Sequence, residues 1–253
     1  ESKGYDITYW NDTPFDIAPF GLKEIKLESK KANPLTTIYT NIRKRIELNV
    51  FDKNFNETVY NTYNFKHSTK GLKNIAKKIF VDAMVLLHSN EKGIIRVRNK
   101  IKNLERNSLK YQYCKKQLED NRPNFVFCTN QRHSQSISPI LAAQDLGIPT
   151  ATFIFSWDNL PKARLALRAD SYLVWSNYMK NEMELYYPEI PQKNVLVTGT
   201  PQFEFYNNAE NIIEKEIFYR KYNLDPGKKI ICFSGNDTNA PSTALSLNLI
   251  TFR

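Results

Sequence analysis

The sequence predicts an α/β protein built on a parallel sheet with helices on both faces, and three observations lead there. Between residues 124 and 200, short apolar runs alternate regularly with helical stretches. The runs NFVFCTN (124–130), TATFIFS (150–156), SYLVWS (171–176) and NVLVTGT (194–200) are apolar on both faces, as strands covered on two sides require. Each gap between them has room for a crossover, the connection that parallel strands need.

The first third of the chain is less regular. YDITYW (5–10) and LKEIKLE (22–28) read as short strands, and KANPLTTIYTNIRKRIEL (31–48) as a loop entering a helix. In residues 71–87 the apolar positions Leu72, Ile75, Ala76, Ile79, Phe80, Ala83, Met84 and Leu87 form an amphipathic stripe, expected to pack on the core, while Lys70, Lys73, Lys77 and Lys78 take other positions. Residues 94–119 read as one Arg/Lys-rich helix ending before Pro123. Helices are then expected at 138–148, closed by Gly147, at 160–168, and at 177–187, stopped by Pro188. One further amphipathic helix is expected at 209–222, and residues 228–239 begin a new apolar strand that ends in a polar loop. YDITYW has the look of a strand that follows a first βα unit, and little follows residue 239. The sequence therefore reads as truncated at both ends.

Composition narrows the function. In 253 residues, 41% hydrophobic with 13% aromatic content suffices for a core. Cys114, Cys128 and Cys232 lie far apart with no CxxC pair, which points to a reducing, cytoplasmic setting. No run long and apolar enough to span a bilayer occurs, and the first residues do not resemble a secretory leader. The net charge of +10 is local: from Lys70 to Lys116 thirteen Lys or Arg stand against Asp82, Glu91 and Glu105. The sequence has no Gly-x-Gly, Walker loop, HExxH, Cys/His ligand spacing, Asp-x-Asp or GxSxG. A bound cofactor or metal is not expected, nor is classical nicotinamide or serine-hydrolase chemistry. Nucleic-acid-binding signatures are missing as well, so the charge is not read as a nucleic-acid site.

In open α/β sheets ligands sit at the carboxyl ends of the strands. The residues there are Gln131, Arg132, His133, Ser134 and Gln135 after the first run, Trp157, Asp158 and Asn159 after the second, Asn177 after the third, and Pro201, Gln202, Phe203 and Glu204 after the fourth. An aromatic ring beside a carboxylate and an amide suits a sugar: the ring stacks, and the polar pair bonds hydroxyls. The plainer alternative is that Asp158 or Asn159 caps a helix starting near Leu160 and Trp157 covers the sheet end. His133 is the one histidine in a strand-end loop, and imidazole trades a proton most readily near neutral pH. It and Asp158 are the candidate catalytic residues, the alternative for His133 being that it and Arg132 hold a phosphate or line the cleft.

From DSYLVWSNYMKNEMELYYPEIPQKNVLVTGTPQFEFY (170–206), with SWDN at 156–159, the chain resembles bacterial GT-B-type glycosyltransferases of surface-polysaccharide and lipopolysaccharide synthesis, over about residues 124–237. The resemblance implies two Rossmann-like domains facing across a cleft, here an acceptor-side domain at 1–206 and the start of a donor domain at 207–253. It implies metal-independent transfer of a sugar from a nucleotide-sugar to a polysaccharide or lipid-linked acceptor. Gln131, Arg132, Trp157, Asn159, Thr200 and Gln202 would contact substrate, and Ser234, Gly235 and Asn236 would lie near the donor diphosphate. The amino-terminal loop in which many such enzymes keep their base is absent, and this chain alone is expected to be inactive. Lys92, Arg96, Arg98, Lys100 and Lys102 are expected to hold the enzyme peripherally on the anionic inner face of the cytoplasmic membrane. Two alternatives stand beside this: a nucleotide-sugar 2-epimerase of the same architecture, for which Asp158 is the one strong carboxylate candidate, and a non-catalytic basic binding module.

Overall fold

The computed structural model describes residues 4–11, 15–26, 32–64 and 70–231. The chain divides into two compact units, Glu1–Gly199 and Thr200–Arg253. In the first unit, β1 (Thr8–Asn11) and β2 (Lys23–Lys26) form a small parallel pair in the register Thr8↔Lys23 to Asn11↔Lys26.

Helix α1 (Pro34–Phe55) begins where the Asn33 side chain accepts from the Leu35 N–H and Pro34 takes the first turn, and it ends at left-handed Asn56. It runs past two cores, giving Ile42 and Ile46 to one and Leu48 and Phe51 to the other. Helix α2 (Leu72–His88) forms as expected but faces the other way. Its stripe is exposed apart from the partly buried Met84, with Leu72 at 85%, Ile79 at 64% and Leu87 at 70%, and Leu86 beside it at 83%. The residues it buries are Val81 and Val85, which pack with Ile42, Ile46, Ile94 and Val97. At 100° per residue these valines lie opposite the stripe. Polar ties fix the choice: Arg45 pairs with Asp82 at 2.6 Å, and Asn49 Nδ2 donates to Ser89 Oγ at 3.0 Å.

The expected single basic helix is two, α3 (Glu91–Arg106) and α4 (Leu109–Asn121). Ser108 breaks it by accepting the Tyr111 N–H at 3.0 Å, so a side-chain cap replaces a helical turn. Near the end of α3 the buried Glu105 carboxylate accepts from the Thr36 and Ser138 hydroxyls, which joins α1, α3 and the helix after β3.

The main sheet comprises β3 (Val126–Cys128), β4 (Thr150–Phe153), β5 (Ser171–Val174) and β6 (Val195–Val197), all parallel and in that spatial order. Cys128, Thr152, Tyr172 and Val195 share one face by register. That face is the more deeply buried, whereas Phe127 and Leu196 on the other are 46% and 49% exposed. The protein is thus α/β with a helix-flanked parallel sheet of Rossmann-like shape, one face being more completely closed than the other among the described residues. Helix α5 (Ile137–Asp145) links β3 to β4, and α6 (Asn177–Tyr186) links β5 to β6. Gly147, at φ 71°, turns the chain after α5 in a conformation that side chains resist.

Residues 160–168 do not form the expected helix. Ala163 sits at φ 51°, the Arg164 N–H returns to the Asn159 carbonyl at 2.9 Å, and the Ala166 N–H goes to the Gln131 carbonyl at 3.3 Å. A local return, the distant Gln131 carbonyl and the Arg43 side chain on the Ala163 carbonyl have taken backbone groups that a helix would pair.

Beneath this segment lies a buried ion cluster. Glu47 meets Arg43 at 2.5 Å and Arg98 at 2.7 Å, and Arg98 and Arg168 both reach Glu189, at 2.7 and 2.9 Å. Burial alone would raise the Glu47 pKa, but Arg43, Arg98 and Arg168 together hold it below its ordinary value.

In the unit Thr200–Arg253, the described part holds two 3-10 segments, Pro201–Asn207 and Ala209–Asn211, and α7 (Lys215–Lys221). The expected helix at 209–222 is therefore shortened. Asn208 accepts the Glu210 N–H and Asn211 donates to the Phe205 carbonyl, local bonds that compete with a helix start. Residues 228–231 are not a strand, and the rest of the stretch 228–239 lies outside the described residues. No helix among the described residues is long and apolar enough to cross a membrane.

Candidate functional site

Because the four strands run parallel, their carboxyl ends bring the loops after β3, β4 and β5 to one edge. Gln131, after β3, is 0% exposed and makes the central connection. Its Nε2 donates to Asn159 Oδ1 at 3.2 Å, and its Oε1 accepts the Phe155 N–H at 3.3 Å. Asn159, 2% exposed, donates from Nδ2 to Asp158 Oδ1 at 3.0 Å. Asp158 Oδ2 then pairs with Lys162 Nζ at 2.5 Å. A buried amide pair thus holds a half-buried carboxylate, whose cation partner stands beside it.

Trp157 and Trp175 separate into different roles. Trp175 donates its indole N–H to the Ile154 carbonyl at 2.8 Å and lies parallel to Phe153, so it belongs to the sheet end. Trp157 is 66% exposed, and its ring is presented to solvent beside Asp158. Covering the sheet end therefore falls to Trp175. No helix starts near Leu160, so Asp158 and Asn159 cap none; their side chains enter the Gln131 network instead.

Burial raises the Asp158 pKa, but hydrogen bonds from Lys162 and Ser156, together with the Lys162 charge and Asn159, lower it overall. A carboxylate held in this way is a weak proton acceptor and a good anchor. His133 is exposed and precedes the 3-10 turn Ser134–Ser136, while Ser136 Oγ donates to the Asn130 carbonyl at 3.0 Å and fixes that turn. Arg132 is half-buried, with its guanidinium 5.8 Å from the Phe155 ring centroid.

Other cations reach this edge from positions that the sequence did not single out. Lys44 on α1 donates to the Tyr63 carbonyl at 2.6 Å, and Lys162 Nζ lies 5.3 Å from the Tyr63 ring centroid. Arg43 Nη2 donates to the Ala163 carbonyl at 3.1 Å, next to Arg164. Lys162 and Arg164 were hidden in the stretch read as a helix, and Lys44 in a helix far away in sequence. Nothing in their spacing marks them; the left-handed turn at Ala163 and the course of α1 bring them together.

Gln131 and Asn159, expected to touch substrate, are closed off from solvent, at 0% and 2% exposure. Thr200 and Gln202 belong to the second unit, where Thr200 Oγ1 accepts the Gln202 N–H at 3.4 Å. Ser234, Gly235 and Asn236 lie outside the described residues. Among the described residues no cluster of His, Cys, Asp or Glu is arranged to hold a metal ion.

No protein-family model, no curated protein and no solved structure matches this chain.

Proposed function

We propose that the protein is a GT-B-type glycosyltransferase that moves a sugar from a nucleotide-sugar to a polysaccharide or lipid-linked acceptor, with the acceptor bound at the edge formed by residues 131–164. The observation that carries the reading is the outward Trp157 ring beside a carboxylate fixed by the buried Gln131–Asn159 pair. Such a ring can stack on a sugar face while Asp158 accepts from its hydroxyls. In the reaction an acceptor hydroxyl attacks the anomeric carbon of the donor, loses its proton to a base, and displaces the donor's diphosphate. His133 is the base this edge offers, and Asp158 positions the acceptor. Thr200 and Gln202 would begin the hinge, with Ser234, Gly235 and Asn236 in the donor domain.

The work would take place at the anionic face of a membrane. Arg98 is committed to Glu47 and Glu189 and drops out of the lipid-binding set, whereas Lys92, Arg96 and Lys100 are exposed and Lys102 half-buried. The outward stripe of α2 adds what charge alone lacks, an apolar face flanked by the exposed Lys73 and Lys77.

The test is to incubate the full-length protein with nucleotide-sugars, with and without a lipid-linked acceptor. Acceptor-dependent transfer is the expected result. An epimerised nucleotide-sugar formed without acceptor would replace this reading with the 2-epimerase, and absence of both products would end the enzymatic reading.

A further inference from the structure

We propose that the cavity between α1, α3, α5 and residues 165–168 binds one small monovalent anion of the halide class, held by Arg43, Arg98 and Lys102. It lies apart from the strand-end edge and does not depend on the reading of that edge as a substrate site.

The donors come from two helices that meet over one carboxylate. Arg43 stands one turn before Glu47 on α1, and Arg98 reaches in from α3. Arg43 Nη1 donates to Glu47 Oε2 at 2.5 Å and Arg98 Nη2 to Glu47 Oε1 at 2.7 Å, which sets the two guanidiniums side by side. Arg43 gives its other terminal nitrogen to the Ala163 carbonyl at 3.1 Å, and Arg98 gives its own to Glu189 at 2.7 Å. In each arginine the remaining nitrogen, Nε, is buried and has no hydrogen-bond partner. The Arg43 side chain is 3% exposed, so bulk water does not serve that N–H. A buried donor without an acceptor is costly, and here two such donors belong to neighbouring side chains.

Both arginines line a cavity of about 40 Å³. That is room for a particle or two of water's size, and too little for a sugar or a phosphate ester. Lys102 on α3 lines it as well, half-buried and without a hydrogen-bond or ion-pair partner among the described residues. Arg168 and Gln144 complete the polar part of the wall, and the rest is mainly aliphatic, Ile140 and Leu167 among it.

Charge decides between water and an anion. The ion pairs around Glu47 join Arg43, Arg98 and Arg168 to Glu47 and Glu189, three cations against two carboxylates. Both carboxylates are ionised: burial would raise their pKa values, but Arg43, Arg98 and Arg168 hold Glu47, and Arg168 and Arg98 hold Glu189, below the ordinary range. One positive charge is left within the set, softened where Arg168 lies 4.9 Å from the Tyr187 ring centroid, and Lys102 adds another at the wall. A water accepts few hydrogen bonds and brings no charge. A halide accepts from several N–H groups at once and supplies the missing charge. Bound there, it ties α1 and α3 to residues 165–168, the segment whose Ala166 N–H reaches the Gln131 carbonyl at 3.3 Å.

The test uses the full-length protein. Thermal midpoints are recorded in sodium chloride, bromide and gluconate at equal ionic strength, from about 1 to 200 mM. Chloride and bromide should raise the midpoint along a saturating curve, and gluconate, too large for the cavity, should not. Lys102→Gln should weaken the halide response at least about tenfold with its midpoint in gluconate kept, while Lys100→Gln, exposed on the same helix, should change it less than about twofold. Crystals soaked in bromide should show its anomalous signal beside Arg43 and Arg98. Midpoints that rise equally in all three salts, or equal losses in the two lysine variants, would show plain ionic screening and overturn the proposal. So would a cavity that holds only water in the bromide-soaked crystals.

Discussion

Replacing Glu47 with Gln removes one charge from the most buried ion cluster and leaves the shape of the side chain nearly unchanged. The Glu47 side chain is 1% exposed and that of Arg43 3%, so neither can turn to water once its partner is neutral. Arg98 and Arg168 keep Glu189, whose side chain is 47% exposed, but Arg43 keeps only neutral protein partners, the Ala163 carbonyl and an amide oxygen where it had a carboxylate at 2.5 Å. Breaking a buried pair by neutralising one partner costs about 3–5 kcal/mol, out of a total stability of about 5–15 kcal/mol. With a urea slope of about 2 kcal/mol per molar, the midpoint of unfolding should fall by about 1.5–2.5 M. Urea titration followed by far-UV circular dichroism reads this directly. Glu189→Gln, at the exposed rim, is the comparison and should cost less than about 1 kcal/mol. The Glu47 pKa is lowered in the folded protein, so its contribution is complete above its ordinary value of 4.5 and is lost as pH falls through the folded value. Acid unfolding below about pH 4.5 should therefore be less steep in Glu47→Gln than in the wild type. A Glu47→Gln midpoint equal to that of Glu189→Gln would refute the assignment of Glu47 as the compensating charge for Arg43.

Further outcomes follow from the same coordinates. Trp157→Ala should raise the acceptor KM by about five- to tenfold without moving the thermal midpoint, because the ring is 66% exposed and its loss removes stacking alone; an unchanged KM would take Trp157 out of the site. Asn159→Ala should destabilise by about 1–3 kcal/mol, since it takes away the oxygen that the buried Gln131 amide nitrogen donates to, and a smaller loss in urea titration would contradict the network. Wild-type protein should co-sediment with anionic but not neutral liposomes, more weakly as salt rises, and Leu72→Ser/Ile79→Ser/Leu86→Ser should lose most of this at an unchanged thermal midpoint; equal binding by the triple variant would show that α2 does not insert.

The sequence by itself determined the parallel sheet, because short apolar runs between crossovers admit few other pairings, and it placed the loops after those strands at one edge. Gln131, Arg132, Trp157, Asp158 and Asn159 were legible for that reason, since position after a buried strand is a local property. Periodicity also placed α2, yet it could not say which side is buried. The two valines seat the helix because α1 and α3 offer Ile42, Ile94 and ion-pair partners there, and an amphipathic stripe carries no record of its neighbours. The same limit applies to residues 160–168, where the Gln131 carbonyl and Arg43 claim the backbone of a sequence with helical character. The roles at the site were decided in tertiary structure too. Burial closed Gln131 and Asn159 off from solvent, an ion pair tied Asp158 to Lys162, and the left-handed turn at Ala163 brought Lys162 and Arg164 towards Lys44 on α1. Electrostatic fields depend on distance through space, and residues 44 and 164 become neighbours only when the chain has folded.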